Sequence, residues 1–338
     1  MVMEQVSPTQ DRIFEALWGH QRTAALKAGI DIELFTAIKE GKRQVSALAE
    51  QCKATERGVR MLADYLTMLG FLRKTGNEYS LSSDSEVFLV TTSPAYVGGT
   101  LEFMLAPPLY DGFRRLTEAV RKGGTALDEQ GTTAEEHPEW VTFARAMIPM
   151  MMAPAKWIGN YLAAHQVKVD KVLDIAAGHG LFGIEIAKQF PQSTIVARDW
   201  PNVLTVAKEQ AQTAGVHERY QWLPGNAFSV EYGKGYDVVL LTNFLHHFDP
   251  PTCEEILRKV HRALKENGRV VTVEFVPNED RISPASADFA LVMLVTTPAG
   301  DAYTFPELND MFTKAGFARS EIHEVPQSKE HVLVTYKT

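Results

Sequence analysis

The sequence predicts an α/β chain whose C-terminal half forms a seven-stranded, mostly parallel sheet with a terminal antiparallel hairpin. A mainly helical region precedes it. Three observations carry this. From about Val167 onward, short apolar runs alternate with helical stretches, the pattern of βαβ units around a parallel sheet. The last two runs, 319–325 and 331–337, are separated only by 326–330, a connection so short that the strands must be antiparallel. Before residue 100 the apolar spacing is helical and ends in one hairpin signal. At 338 residues the chain is longer than one typical domain and shorter than three. The divisions read as 1–95, a helical connector at 96–165, and the sheet domain at 166–338.

In chain order, Phe14, Leu17 and Trp18 recur at i, i+3, i+4. Ser46 can N-cap a helix over 47–52, and Thr55 the next one. In that second helix Leu62, Tyr65, Leu66 and Leu69 keep helical spacing, with Gly70 as the stop. Residues 71–74 and 78–81 flank Thr75-Gly76-Asn77 as a hairpin. Helix, turn, helix, hairpin is the outline of a winged helix. The connector carries joints at Pro107-Pro108, Gly123-Gly124 and His137-Pro138, and a run of methionines, Met147, Met150, Met151 and Met152. Pocket lining and core packing are both open to that run. Strands are expected at 171–176, 194–199, 220–224, 236–242 and 269–275, and helices at 181–189, 202–214, 251–266 and 306–315.

Composition removes several classes of function. The formal net charge is −8, of which −1 belongs to residues 1–100 with 11 Lys/Arg against 12 Asp/Glu. The candidate recognition helix carries Arg57 and Arg60 but also Glu56 and Asp64. A DNA reader shows a basic face, so the winged helix reads as a dimerisation module and nucleic acid is not an expected partner. Two distant cysteines, Cys52 and Cys253, suit a reducing compartment. No apolar run approaches a membrane span, and the first residues carry no secretory pattern. A cytoplasmic protein without a membrane partner is expected.

The chemistry is concentrated in one loop. The first sheet strand runs into Asp174-Ile175-Ala176-Ala177-Gly178-His179-Gly180-Leu181-Phe182-Gly183, and Asp199 ends the next strand. Glycines after a strand allow a ligand to approach the backbone, and an acid ending the second strand accepts from ribose hydroxyls. Asp174 adds a second carboxylate, which has no obvious task beside a pyrophosphate. A ligand with an ammonium, a sulfonium and a ribose diol, such as S-adenosylmethionine, fits two acids better than a nicotinamide dinucleotide does.

Six blocks then occur in order: VLDIAAGHG, ARDWPNVL, GNAF, LLTNFLHHFDPPTCEEILRKVHRAL, GRVVTVEFVPNEDR and TPAGDAYTFPELNDMFTKAGF. With them the sequence resembles the class I S-adenosylmethionine-dependent O-methyltransferases of the plant caffeate type and their bacterial relatives, over nearly the whole chain from Asp11. The resemblance implies a Rossmann-like catalytic domain and a winged-helix domain that forms a homodimer. It implies that Asp174, Ala176, Gly178 and Gly180 meet the methionyl part of S-adenosylmethionine. Asp199 would hold the ribose, with Trp200, Asn226, Ala227 and Phe228 around adenine and Thr242 and Asn243 along the cleft. It also places a general base at His246 and an orienting carboxylate at Glu274.

The departures are specific. Ala176 replaces the first loop glycine and is expected at negative φ. Asn226 supplies an amide where a carboxylate is usual, His247 follows the base, and Ala302 stands where a second carboxylate is expected. A histidine suits proton removal from a phenol because its charge changes near neutral pH. Structural packing of His246 is the competing role, and His247 is the other candidate base. No third ligand accompanies His247 and Asp249, so no metal is expected. The acceptor pocket is expected from Phe143, Met147, Met150, Met151, Phe289, Met293 and Leu294, all apolar and several flexible, suited to a small aromatic or polyketide-like acceptor. Phe14 and Trp18 either reach a partner's pocket or pack between helices. N- or C-methylation, non-methylating chemistry on the same cofactor, a nicotinamide oxidoreductase and a DNA-binding regulator are the rival functions.

Overall fold

The computed structural model describes residues 8–128, 130–137 and 139–338, apart from the side chains of Glu102 and Pro108. Residues 1–7 and the Pro138 joint lie outside these. The chain forms two compact units, divided between Leu101 and Glu102.

The first unit contains α1 (Asp11–Leu17), α2 (Gly19–Asp31), α3 (Leu34–Lys39), α4 (Val45–Gln51), α5 (Glu56–Met68), the hairpin β1 (Leu72–Thr75) and β2 (Glu78–Leu81), and α6 (Ser83–Phe88). Thr55 caps α5 by accepting the Gly58 N–H at 3.2 Å, and Gly70 follows its end at φ +83°. Ser46 is not a cap. The helix starts two residues earlier, after an extended Gln44 whose backbone bridges Glu78, so the strand contact decides the boundary. Leu34, Phe35, Leu48, Leu66 and Tyr79 form the core. Asp64 accepts from Tyr79 Oη and Lys74 Nζ, both at 2.6 Å, and also pairs with Arg60. The basic residues of this face are therefore largely neutralised. Ile13, Phe14, Leu17 and Trp18 form an exposed apolar stripe on α1.

The second unit holds α7 (Gly98–Met104) in part, then α8 (Pro107–Arg114), α9 (Leu116–Lys122), α10 (Glu139–Ala146) and α11 (Ile148–Ala164). The sheet segment follows as β3 (Lys171–Ile175), α12 (Leu181–Gln189), β4 (Thr194–Asp199), α13 (Pro201–Thr213), β5 (Tyr220–Pro224) and β6 (Tyr236–Thr242). It continues with α14 (Pro250–Ala263), β7 (Leu264–Glu274), α15 (Phe289–Thr296), α16 (Phe305–Lys314), β8 (Arg319–Glu324) and β9 (His331–Tyr336). The strand order is β5-β4-β3-β6-β7-β9-β8, with β9 antiparallel to both its neighbours. Strands β3 and β6 are buried on both faces, which explains the continuous apolar run Val238–Leu241 in β6 and the apolar residues on both faces of β3. Val172, Val238 and Leu240 face the α11–α12 side; Leu173, Val239 and Leu241 face α14 and α16.

One boundary differs from the sequence expectation by several residues. The helix expected over 251–266 stops at Ala263 because Leu264 pairs with Tyr236, and a bulge then brings Arg269 opposite Val238. Strand pairing across the sheet overrides the local helical propensity of Leu264, Lys265 and Glu266. Among the described residues no helix is long and apolar enough to cross a membrane.

Thr55→Ala should cost about 1 kcal/mol, the usual value of a side-chain N-cap. Chemical denaturation of the full chain, followed by a signal from the first unit, measures it.

Candidate active site

A cavity of about 390 Å³ opens at the carboxyl ends of β3, β4 and β6, where the strand order reverses. Its size and place are those of a small-molecule site in an open α/β sheet.

The loop after β3 forms one wall. Ala176 sits at φ +55°, contrary to the expected negative φ, and Gly178 and Gly180 are also left-handed. A non-glycine residue pays roughly 1–2 kcal/mol for that region, and the neighbouring bond from Ala177 N–H to Arg198 O at 3.1 Å holds the loop in it. Asp199 braces the same loop. Its Oδ2 accepts from Gly178 N–H at 2.8 Å and its Oδ1 from Trp200 N–H at 2.7 Å. A carboxylate has about four acceptor sites, so each oxygen keeps one for a ligand hydroxyl. Burial raises the Asp199 carboxyl, while these two bonds and Arg198 oppose it.

Asp174 lies beneath the loop rather than in the cavity wall. It is fully buried and neither oxygen meets a hydrogen-bond donor of ideal geometry. Burial, then the charge of Asp199, pushes its carboxyl up to about 7. Gly183 is required beside it, because an added Cβ would come within 3.1 Å of Asp174 Oδ2 and 2.9 Å of Ile195. Gly180 is likewise outside the wall, and its Cβ position faces Ala207 at 3.0 Å, so it serves helix packing.

The wall continues through Trp200, Asn226, Ala227, Phe228, Thr242 and Asn243. Asn226 Oδ1 accepts from Phe228 N–H at 2.9 Å, and its Nδ2 donates to Glu135 at 3.0 Å. Asn243 is at φ +53°, which asparagine tolerates, and its Oδ1 is buried without a donor. Residues that sequence reasoning missed also line the cavity, Arg198, His179, Phe182 and Trp140 among them, as does His247, the other candidate base.

Beyond Asn243 the chain makes a tight turn, Leu245–His247. Glu274, at the end of β7, accepts the N–H groups of Phe244 at 3.2 Å and Leu245 at 2.9 Å on Oε1, and His246 Nδ1 on Oε2. Both His246 and Glu274 are buried. His247 faces the cavity and has no partner at Nδ1. Burial and the neighbouring His246 hold it well below the usual histidine range.

Of the residues expected around an acceptor, Phe143 and Met151 line the cavity. Met147 is buried in the α11–α12 core. Met150 is 40% exposed and away from the wall. Phe289 packs its ring 4.8 Å from His246 and 4.1 Å from Phe275. Met293 is buried outside the wall, and Leu294 packs with Leu109, Ala119 and Val295. Ala302 is buried, and its neighbour Asp301 turns outward to Arg281 at 3.2 Å. Among the described residues no group of three metal-ligating side chains comes together.

The buried polar atoms around this cavity fit a ligand carrying a cation, a diol and a heterocycle. The O-methyltransferase domain model matches residues 114–318, and the O-methyltransferase dimerisation domain model matches residues 14–91. The chain belongs to the O-methyltransferase family. A candidate O-methyltransferase from Nostoc punctiforme PCC 73102, known by crystal structure, is 49% identical, with 98% of this chain and 100% of that one covered at a TM-score of 0.95. The 3-hydroxy-5-methyl-1-naphthoate 3-O-methyltransferase of Streptomyces sahachiroi is 26% identical over 89% of this chain and 86% of its own. Human N-acetylserotonin methyltransferase, solved with S-adenosylmethionine, shares the fold at a TM-score of 0.83 and 21% identity over 99% of each chain. This O-methyltransferase uses S-adenosylmethionine as its methyl donor.

Asp174 gives the ligand-free protein a signed pH dependence. Its folded carboxyl titrates near 7, above the unfolded range, so the folded state binds the extra proton. The stability it contributes is present below about pH 4 and is lost as pH rises toward 7. Asp174→Asn cannot ionise. Its stability relative to wild type should therefore grow by a few kcal/mol between pH 4 and 8, at about 1.4 kcal/mol per tenfold change in proton affinity. Denaturant unfolding of ligand-free protein at both pH values measures this.

Proposed function

We propose that this enzyme methylates a hydroxyl on a small aromatic or polyketide-like metabolite, with His246 as the general base. The observation that carries the reading is the His246–Glu274 pair. Glu274 is tied to two backbone N–H groups, so its remaining oxygen takes the Nδ1 proton and leaves the Nε2 lone pair to act as base.

S-adenosylmethionine supplies an electrophilic methyl on a sulfonium. Asp199 would hold its ribose hydroxyls, with Trp200, Asn226, Ala227 and Phe228 around the adenine. The loop from Ala176 to Gly180, above Asp174, would meet the methionyl end, and Thr242 and Asn243 the cleft between. Phe143, Met151 and Trp140 would hold the acceptor ring and keep water from the reacting oxygen. His246 removes the hydroxyl proton as the oxygen becomes the nucleophile, and Glu274 stabilises the imidazolium that results. The Streptomyces relative named for a hydroxynaphthoate supports an aromatic acceptor. The dimerisation-domain match and the exposed stripe on α1 support a homodimer.

His247 is the second reading for the base, favoured by its place in the cavity wall. It has no carboxylate to orient it, and its depressed basicity suits a neutral contact better.

His246→Ala should lower turnover by about 10²- to 10⁴-fold while leaving S-adenosylhomocysteine affinity within about threefold of wild type. Calorimetry and initial rates measure the two. If turnover stays near normal in His246→Ala and collapses in His247→Ala, the base is His247. The acceptor class is tested by incubation with methyl-labelled S-adenosylmethionine and a panel of phenols, amines and activated carbons. Label on phenolic oxygen is expected; label confined to nitrogen or carbon acceptors refutes the proposal.

A further inference from the structure

Arg198 is the penultimate residue of β4. It is 2% exposed, yet it forms part of the cavity wall. Its Nε and Nη2 meet no acceptor of the protein. Asp199, and the carbonyls bonded by Lys259 and Tyr232, two residues close enough to interact electrostatically with Arg198, have donors of their own. Each Asp199 oxygen already takes one backbone N–H. The carbonyls of Ala227 and Phe228 accept from Lys259 Nζ at 3.2 and 2.9 Å, and the Ala227 carbonyl also from Tyr232 Oη at 2.6 Å. The guanidinium carbon sits 5.6 Å from the Trp200 ring centroid. Burial disfavours the cation and the Asp199 charge beside it opposes that.

An arginine does not escape this cost by losing its proton. A buried cation with idle donors weakens a fold, and an apolar side chain of the same length would pack as well. The cost is recovered when a ligand brings acceptors to the fork. An anion is a poor occupant, because the Asp199 carboxylate lines the same part of the cavity. A neutral heterocycle with ring-nitrogen lone pairs meets both conditions.

We propose that Arg198 is a cofactor-binding residue whose guanidinium donates to a ring nitrogen of a purine, so that it selects the adenine base of the methyl donor. The proposal rests on the reading that the adenosine end lies between Asp199 and residues 226–228.

The test uses the full-length enzyme, S-adenosylhomocysteine and its 1-, 3- and 7-deaza analogues, with calorimetry and thermal unfolding. Wild type should bind at least one deaza analogue about tenfold or more weakly than the parent, the scale of a hydrogen bond to a charged group. Arg198→Met should bind the parent about tenfold more weakly and lose the discrimination. Its ligand-free Tm should equal or exceed that of wild type, which a merely structural arginine would not permit. Arg198→Lys keeps the charge without the fork and should also lose the discrimination. Wild type indifferent to all three analogues, or both variants retaining its pattern, overturns the proposal. So does a lower ligand-free Tm in Arg198→Met with an unchanged ligand-induced rise. Asp199→Ala separates the two levels. If it loses affinity while Arg198→Met keeps it, the arginine inference alone fails; if both bind as wild type, the placement of the adenosine end fails with it.

Discussion

Glu274 is one buried carboxylate with three donors converging on it, the N–H groups of Phe244 and Leu245 and the imidazole of His246. The turn that carries His246 is thereby folded around the carboxylate that orients its ring. Other contacts fall into place only with that turn. Cys253 Sγ donates to Leu245 O at 3.2 Å, and Asp301 N–H donates to His246 O at 3.0 Å. Gly300 is needed because a Cβ there would lie 2.2 Å from His246 O. Removing the carboxylate would strand three buried donors, each left without its compensation for lost water. The position of the His246 ring thus follows from the last residue of one strand and the register that buries it.

The cavity holds polar groups that a stability-optimised fold would not. Asp174, Arg198 and the Asn243 carbonyl are buried with unmatched hydrogen-bonding atoms, and Ala176 and Asn243 are left-handed. These costs are tolerable because β3 and β6 lie between two apolar layers and supply burial unrelated to the ligand. Function is placed at strand ends, where the scaffold is already secure. A ligand that pairs those groups adds stability as well as affinity.

Much of this was legible in the sequence because it rests on local period and run length. The seven strands, the final hairpin, the loop after β3 and Asp199 all announce themselves within a few residues of their own positions. What was not legible depends on partners far along the chain. Ser46 lost its cap to a bridge between Gln44 and Glu78, and the end of α14 was set by Tyr236. Nothing in the sequence around Ala176 marks a left-handed residue; the bracing by Arg198 and Asp199 comes from the next strand. Arg198 carried no motif, and its idle donors become visible only when its neighbours' acceptors are accounted for.

A series of ring contacts connects the helical wall of the cavity to His246. Phe103 meets Phe143 at 4.9 Å, Phe143 meets Trp140 at 5.5 Å, and Trp140 meets His247 at 5.1 Å. His247 meets His246 at 4.3 Å, which meets Phe289 at 4.8 Å. Edge-to-face pairs fix ring angles as well as contributing about 0.5–1.5 kcal/mol each. The imidazole is therefore held by Glu274 on its polar side and by aromatic edges on its apolar side. Phe103, Trp140 and Phe143 come from α7 and α10, outside the sheet, whereas the groups assigned to the methyl donor hang mostly on strand ends. The outer wall of the cavity can then change through those helices and loops while the strand-end groups and the orientation of His246 stay as they are. Such a division permits one scaffold to serve many hydroxylated rings, and it explains why the acceptor is the part of the function written least plainly in the chain.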